Sequence, residues 1–129
     1  MSGSKVDNMP TSFREASARL EGKPERTIAN NTRLRRGLDG FGYDDPHRIS
    51  LVLHTTAIVT WDVNHRVMLT HGGYTTVTTK ARMNAALRGT RYRIHAVNYA
   101  WKLYDTVTRV EIDFPDGEWL NLDPDQTIR

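Results

Sequence analysis

The chain has 129 residues, with 18 Lys and Arg against 15 Asp and Glu, no Cys, and 38% hydrophobic residues. This length suits one domain, and the lack of Cys excludes disulfides and thiolate metal sites. No stretch reaches the roughly 18 apolar residues of a membrane span, and MSGSKVDNMP (1–10) lacks the apolar segment of a signal peptide, so a reducing cytoplasm is the expected compartment.

In chain order, residues 1–10 read as a disordered start. In TSFREASARLEG, Ser12 and Glu15 have the spacing of a capping box, where each side chain satisfies a backbone donor. Phe13, Ala16, Ser17 and Leu20 form an apolar stripe at helical spacing. Gly22 suits the left-handed end of a helix and Pro24 blocks its continuation, so the spacing predicts a helix over about 12–21. Residues 25–38 read as an edge strand or an ordered arm, with Asn30, Asn31 and Thr32 as turn formers. GLDGFGYDDP (37–46) reads as a loop.

The centre is β. From Ile49 to Trp61 the odd positions are the more apolar, the period-2 pattern of a half-buried strand, with a bend or break at Thr55 and Thr56. A turn at Asp62–His65 and a return over 66–70, Val67 and Leu69 inward, make a hairpin. His71, Gly72 and Gly73 form the next turn, followed by a short strand at 74–77. A helix over about 79–88 follows, with Thr78 or Thr79 as its N-cap, Met83, Ala86 and Leu87 on its apolar face, and Gly89 at its end. Residues 91–97 and 99–104 make a second hairpin, with Tyr92, Ile94, Trp101 and Leu103 as core candidates. Residues 109–114 and 118–122 make a third, joined by Pro115-Asp116-Gly117. Beyond Leu122 the chain is expected to fray. The expected architecture is an α+β domain over 11–122, an antiparallel sheet of consecutive hairpins with two helices on one face.

Charge is unevenly spread. No Asp or Glu occurs from 63 to 104, a stretch that carries Arg66, Lys80, Arg82, Arg88, Arg91, Arg93 and Lys102. From 105 to 125 seven acids stand against Arg109 alone. Such asymmetry points either to a polyanionic partner or to sheet neighbours that neutralise one another. His47, His54, His65, His71 and His95 have no metal-ligand spacing. Asp44-Asp45 and Glu111 with Asp113 are the acids a metal-dependent nuclease would use; a turn before Pro46 and a solvated strand face are the preferred explanation of them.

The segment HGGYTTVTTKARMN (71–84) offers more. Two glycines free the backbone to turn, and threonine hydroxyls and unpartnered amides gather where a helix begins, an arrangement that suits an anion. Thr78, Thr79, Lys80, Arg82, Arg88, Arg91 and Arg93 are the candidate nucleic-acid contacts, with Arg33, Arg35 and Arg36 as a second basic group. Tyr74 and Tyr99 are candidate stacking residues.

The segments NNTRLRR (30–36), LHTTAIVTW (53–61) and GGYTTVTTKARMN (72–84), with a Tyr-containing hairpin, resemble a family of small proteins of tailed phages, notably those of actinobacteria, and of related mobile elements. The resemblance runs from about 26 to 104 and departs from the family pattern at the turn Asp62–His65. It implies a phage accessory protein acting in the host cytoplasm, and it transfers no catalytic residue. The expected function is non-enzymatic nucleic-acid binding, DNA or RNA, through the basic region 66–93, without cofactor, metal or membrane. The alternatives are a module that binds a host protein, as a homo-oligomer or not, and a small metal-dependent nuclease.

Overall fold

The computed structural model describes residues 9–38 and 44–122. These residues form two helices and nine strands in antiparallel sheets, the α+β class expected. Helix α1 spans Phe13–Leu20. Ser12 caps it by accepting a hydrogen bond from the Glu15 amide at 3.1 Å. The Glu15 carboxylate reaches one residue further back than the expected box, to the amide and hydroxyl of Thr11. Glu21 takes the left-handed C-cap at φ 52°, and Gly22 follows it, also left-handed, at φ 82°. Ahead of α1, Met9 is fully buried, so the disordered start cannot extend that far; residues 1–8 lie outside the described part.

Strands β1 (Glu25–Ala29), β2 (Thr32–Leu38), β3 (Asp44–Leu53), β4 (Thr56–Asp62), β5 (Arg66–Leu69) and β9 (Glu118–Asn121) form a six-stranded sheet in the order β1-β2-β3-β4-β5-β9. Strands β6 (Tyr92–Val97), β7 (Ala100–Asp105) and β8 (Glu111–Asp113) form a three-stranded one. Of the two readings open for 25–38, the strand reading holds. β1 and β2 are a hairpin at the sheet edge, turning at Asn30–Asn31 with Asn31 at φ 55°. The expected loop at 37–46 is shorter than the composition implied, because Gly37 and Leu38 pair with Asp45 and Asp44; 39–43 lie outside the described residues. The long central strand breaks, as its length demanded, with His54 in the left-handed region at φ 56°.

Three expectations are corrected. No strand forms at 74–77. Thr76 instead caps helix α2, which spans Val77–Ala86 and so starts earlier than 79. The expected third hairpin does not exist either: β8 pairs with β7 and β9 pairs with β5. The Pro115-Asp116-Gly117 turn therefore carries the chain from one sheet to the other, because Leu120 and Trp119 find their partners across β5.

One face of the large sheet makes the core. Leu34, Leu51, Val59 and Leu69 stand in a row across β2–β5, with Ile49, Trp61, Val67 and Leu120 beside them. The first row and Ile49, Trp61 and Val67 are completely buried. Ala16 and Leu20 of α1, Met83 of α2 and its C-cap Leu87, and Tyr92, Ile94, Trp101 and Leu103 of the small sheet belong to the same cluster. Each such large side chain contributes about 1.5–3 kcal/mol by leaving water. The other face carries Glu25, Arg35, Ser50, Thr60, Met68 and Trp119 in register.

Candidate functional site

At one end of the large sheet three turns and the start of α2 converge. The β1–β2 and β3–β4 turns are tied by a hydrogen bond from the His54 amide to the Asn31 carbonyl at 2.8 Å. Arg33 reinforces the junction by donating to the His54 carbonyl at 3.0 Å. The third turn is His71–Tyr74, where Gly72 and Gly73 have φ of 60° and 86°. A Cβ on Gly72 would lie 2.8 Å from the Thr56 methyl, so this glycine is required by close approach as well as by backbone conformation.

His71 anchors that turn. Its amide donates to the Asp116 carboxylate at 2.9 Å, and its Nδ1 accepts from the Gly73 amide at 2.9 Å. Its ring stacks on Phe114 and meets Trp101 edge-on, with centroids at 5.3 and 5.8 Å. The crossing between the two sheets thus holds the turn from below. Thr76 then caps α2, accepting from the Thr79 amide at 3.1 Å and sharing a hydroxyl hydrogen bond with Thr79 at 2.9 Å. Thr78 is not a cap and is exposed; Thr79 is buried inside the first turn.

These parts enclose a pocket of about 480 Å³. Leu53 and Ile58 give it apolar lining; Asn30, Asn31, His54 and His71 bring amides and imidazoles. Thr55, Thr56, Thr76, Thr78 and Thr79 bring hydroxyls, and Tyr74 and Arg82 complete it. Among the described residues no carboxylate lines it; Asp116 lies behind His71, 3.9 Å from its Nε2. Arg82 donates through Nε to the Thr32 hydroxyl at 3.1 Å, which in turn donates to the Asn30 carbonyl. Its guanidinium has no acidic partner among the described residues.

The ten basic and threonine candidates do not share a face. Thr78, Thr79 and Arg82 line the pocket, and Lys80 follows one turn into α2 without an ion pair among the described residues. Arg88 lies past the far end of α2 and donates to the Met9 carbonyl. Arg93 is a structural cation, bonded to the carbonyls of Leu87, Thr90 and Tyr92 where α2 ends. Arg91 is buried and makes a two-pronged pair with Asp105, Nε–Oδ1 3.0 Å and Nη2–Oδ2 2.7 Å. Arg33 and Arg35 both face Glu25, and Arg36 bonds the Ser17 hydroxyl beside the Phe13 ring.

In the small sheet the neutralising reading of the charge asymmetry therefore holds. Arg91 meets Asp105, Lys102 meets Asp113, and His95 meets Glu111. Burial pushes the Asp105 carboxyl up, but the Arg91 guanidinium and the Val107 and Thr108 amides more than reverse this and leave it below the usual carboxylate range. The hydrogen bond and charge of Asp105 raise the Arg91 guanidinium against the opposing effect of burial. Among the described residues no group of three or more His, Asp or Glu is placed to hold a metal ion; the Asp44 and Asp45 side chains lie outside the description. Among the described residues no helix is long and apolar enough to cross a membrane.

Asn30, Asn31 and His54 were not among the candidate ligand contacts. Asn30 and Asn31 carried a turn signal only, and His54 reaches the site through a hairpin tip that no local pattern connects to 71–84. No curated protein and no solved structure matches the chain. Residues 11–121, which include every residue of the pocket, match the family described as Kyanoviridae Gp96 protein, a phage family of unknown function, and the chain belongs to it.

Proposed function

We propose that this phage protein is a nucleic-acid-binding accessory protein whose contact is the threonine corner, and not the whole basic region 66–93. The supporting observation is the pocket itself: Arg82, two imidazoles and five threonines line it with no carboxylate. A phosphodiester entering it meets the Arg82 guanidinium and hydroxyl donors, the nearest carboxylate among the described residues being Asp116 behind the His71 ring, and Lys80 is the next cation along α2. Arg91 and Arg93, spent on Asp105 and on carbonyls, take no part.

The test is anisotropy of labelled single-stranded and duplex DNA and RNA across a salt series, with probe integrity checked in Mg²⁺. Binding should weaken steeply with salt, and Lys80→Ala with Arg82→Ala should flatten the log–log slope by about 1–2, one contact per cation. Arg88→Ala should leave binding unchanged. Absence of binding at low salt would end this reading, and probe cleavage would replace it with a nuclease.

A second reading, attachment to a host protein, is favoured by one observation. The β6–β7 tip, 95–100, is exposed throughout, with Val97 and Tyr99 outward. Asn98 and Tyr99 sit at φ 51° and 69°, a turn usually given to Asn-Gly. A bulky residue in that conformation is strained, and strain that persists often marks a contact surface. Loss of a captured host protein on Tyr99→Gly, with nucleic-acid affinity unchanged, would favour this reading.

A further inference from the structure

We infer that the pocket takes one unpaired nucleotide unit, its base inward and its phosphate at Arg82, so that the protein selects single strands or flipped bases over intact duplex. The inference rests on the nucleic-acid reading and adds to it the form of the ligand.

Five features carry it. The volume of about 480 Å³ lies in the range of sites that enclose small organic ligands and is far too small to admit a duplex. Leu53 and Ile58, both nearly fully buried, give the pocket an apolar floor. A bare phosphate gains nothing from such a floor, whereas a base offers a flat face to it. Asn30 and Asn31 stand at the wall, and a carboxamide presents one donor and one acceptor side by side, the pattern that reads a base edge. Tyr74 is 62% exposed and follows the two-glycine turn, whose closing hydrogen bond runs from its amide to the His71 carbonyl at 2.9 Å. An exposed ring at a pocket wall is a stacking surface for a base. Arg82 is held by the Thr32 hydroxyl through Nε, which leaves the Nη end of its fork for a phosphate oxygen.

Anything that reads only phosphate charge would bind single strands and duplex alike, so the experiment separates the two. A labelled single-stranded oligonucleotide is competed with nucleoside monophosphates, inorganic phosphate and blunt duplex of equal length. The wild-type protein is compared with Tyr74→Ala and with Thr55→Trp, which fills the pocket from an exposed turn position; folding is checked by thermal melting. A monophosphate should compete, phosphate and duplex should compete at least roughly tenfold less well, and each variant should weaken strand binding by roughly tenfold. Equal binding of single strand and duplex, indifferent to Thr55→Trp, would overturn the inference and leave nucleic-acid binding standing. Phosphate competing as well as the monophosphate would also overturn it. Monophosphate binding without strand binding would uphold the nucleotide pocket and overturn the nucleic-acid reading.

Discussion

Arg82 and Arg91 come from the same carboxylate-free stretch of chain, and the fold gives them opposite surroundings. Arg91 stands at the start of the small sheet, where Asp105 at the end of the neighbouring strand takes both arms of its guanidinium. Arg82 faces the end of the large sheet, where only hydroxyls, amides and imidazoles gather. One sheet spends its charges on itself and the other leaves a cation unspent. A basic residue in a sequence is therefore a candidate contact only until its cross-strand neighbours are known.

The comparison can be broken most severely at Asp105. Asp105→Ala strands a buried guanidinium and should cost about 3 kcal/mol in urea unfolding, the low end for a broken buried pair. Loss of less than 1 kcal/mol would show that water reaches Arg91. The same pair sets an acid limit. Because the folded carboxyl lies below its ordinary value, its contribution is complete above about pH 4 and is lost as the pH falls through the folded value. Asp105→Asn should flatten that part of the stability–pH curve.

At the other region, Gly72→Ala puts a methyl against Thr56 in a left-handed conformation and should cost about 1–3 kcal/mol. Adding Thr56→Ser removes the clashing methyl and should recover part of it, the backbone strain remaining; no recovery would show that strain alone is at work. Thr76→Ala removes the cap of α2 and should cost about 1 kcal/mol. Smallest of all, Asp113→Ala breaks an exposed pair with Lys102 and should leave the unfolding midpoint unchanged.

What was legible in the sequence followed the reach of the interactions. The cap of α1 and the turns at Asn30–Asn31 and Asp62–His65 depend on residues a few positions apart, and they formed where local chemistry placed them. The start of α2 was misplaced because several threonines in succession are equal candidates; the two-glycine turn ends early enough for Thr76 to win. β9 was misassigned because Pro115-Asp116-Gly117 is a hairpin signal by composition, while its route is decided by Val67 opposite Leu120. The same limit applied to the site. Thr78, Thr79 and Arg82 lie in one segment and were visible as a group, whereas His54 and the two asparagines join them only through hairpin tips far away in sequence.

The crossing from β8 to β9 also sets a timetable. β5 waits for a partner that is synthesised some fifty residues later, after α2 and the whole small sheet, and bringing such distant segments together is a slow, entropically opposed step. Until then the large sheet has an open edge at β5, the kind that recruits other chains. The segment that closes this edge also delivers Asp116 and Phe114 to His71. A nascent chain therefore lacks the groups that anchor the His71 turn, and the pocket is completed only when the exposed edge disappears.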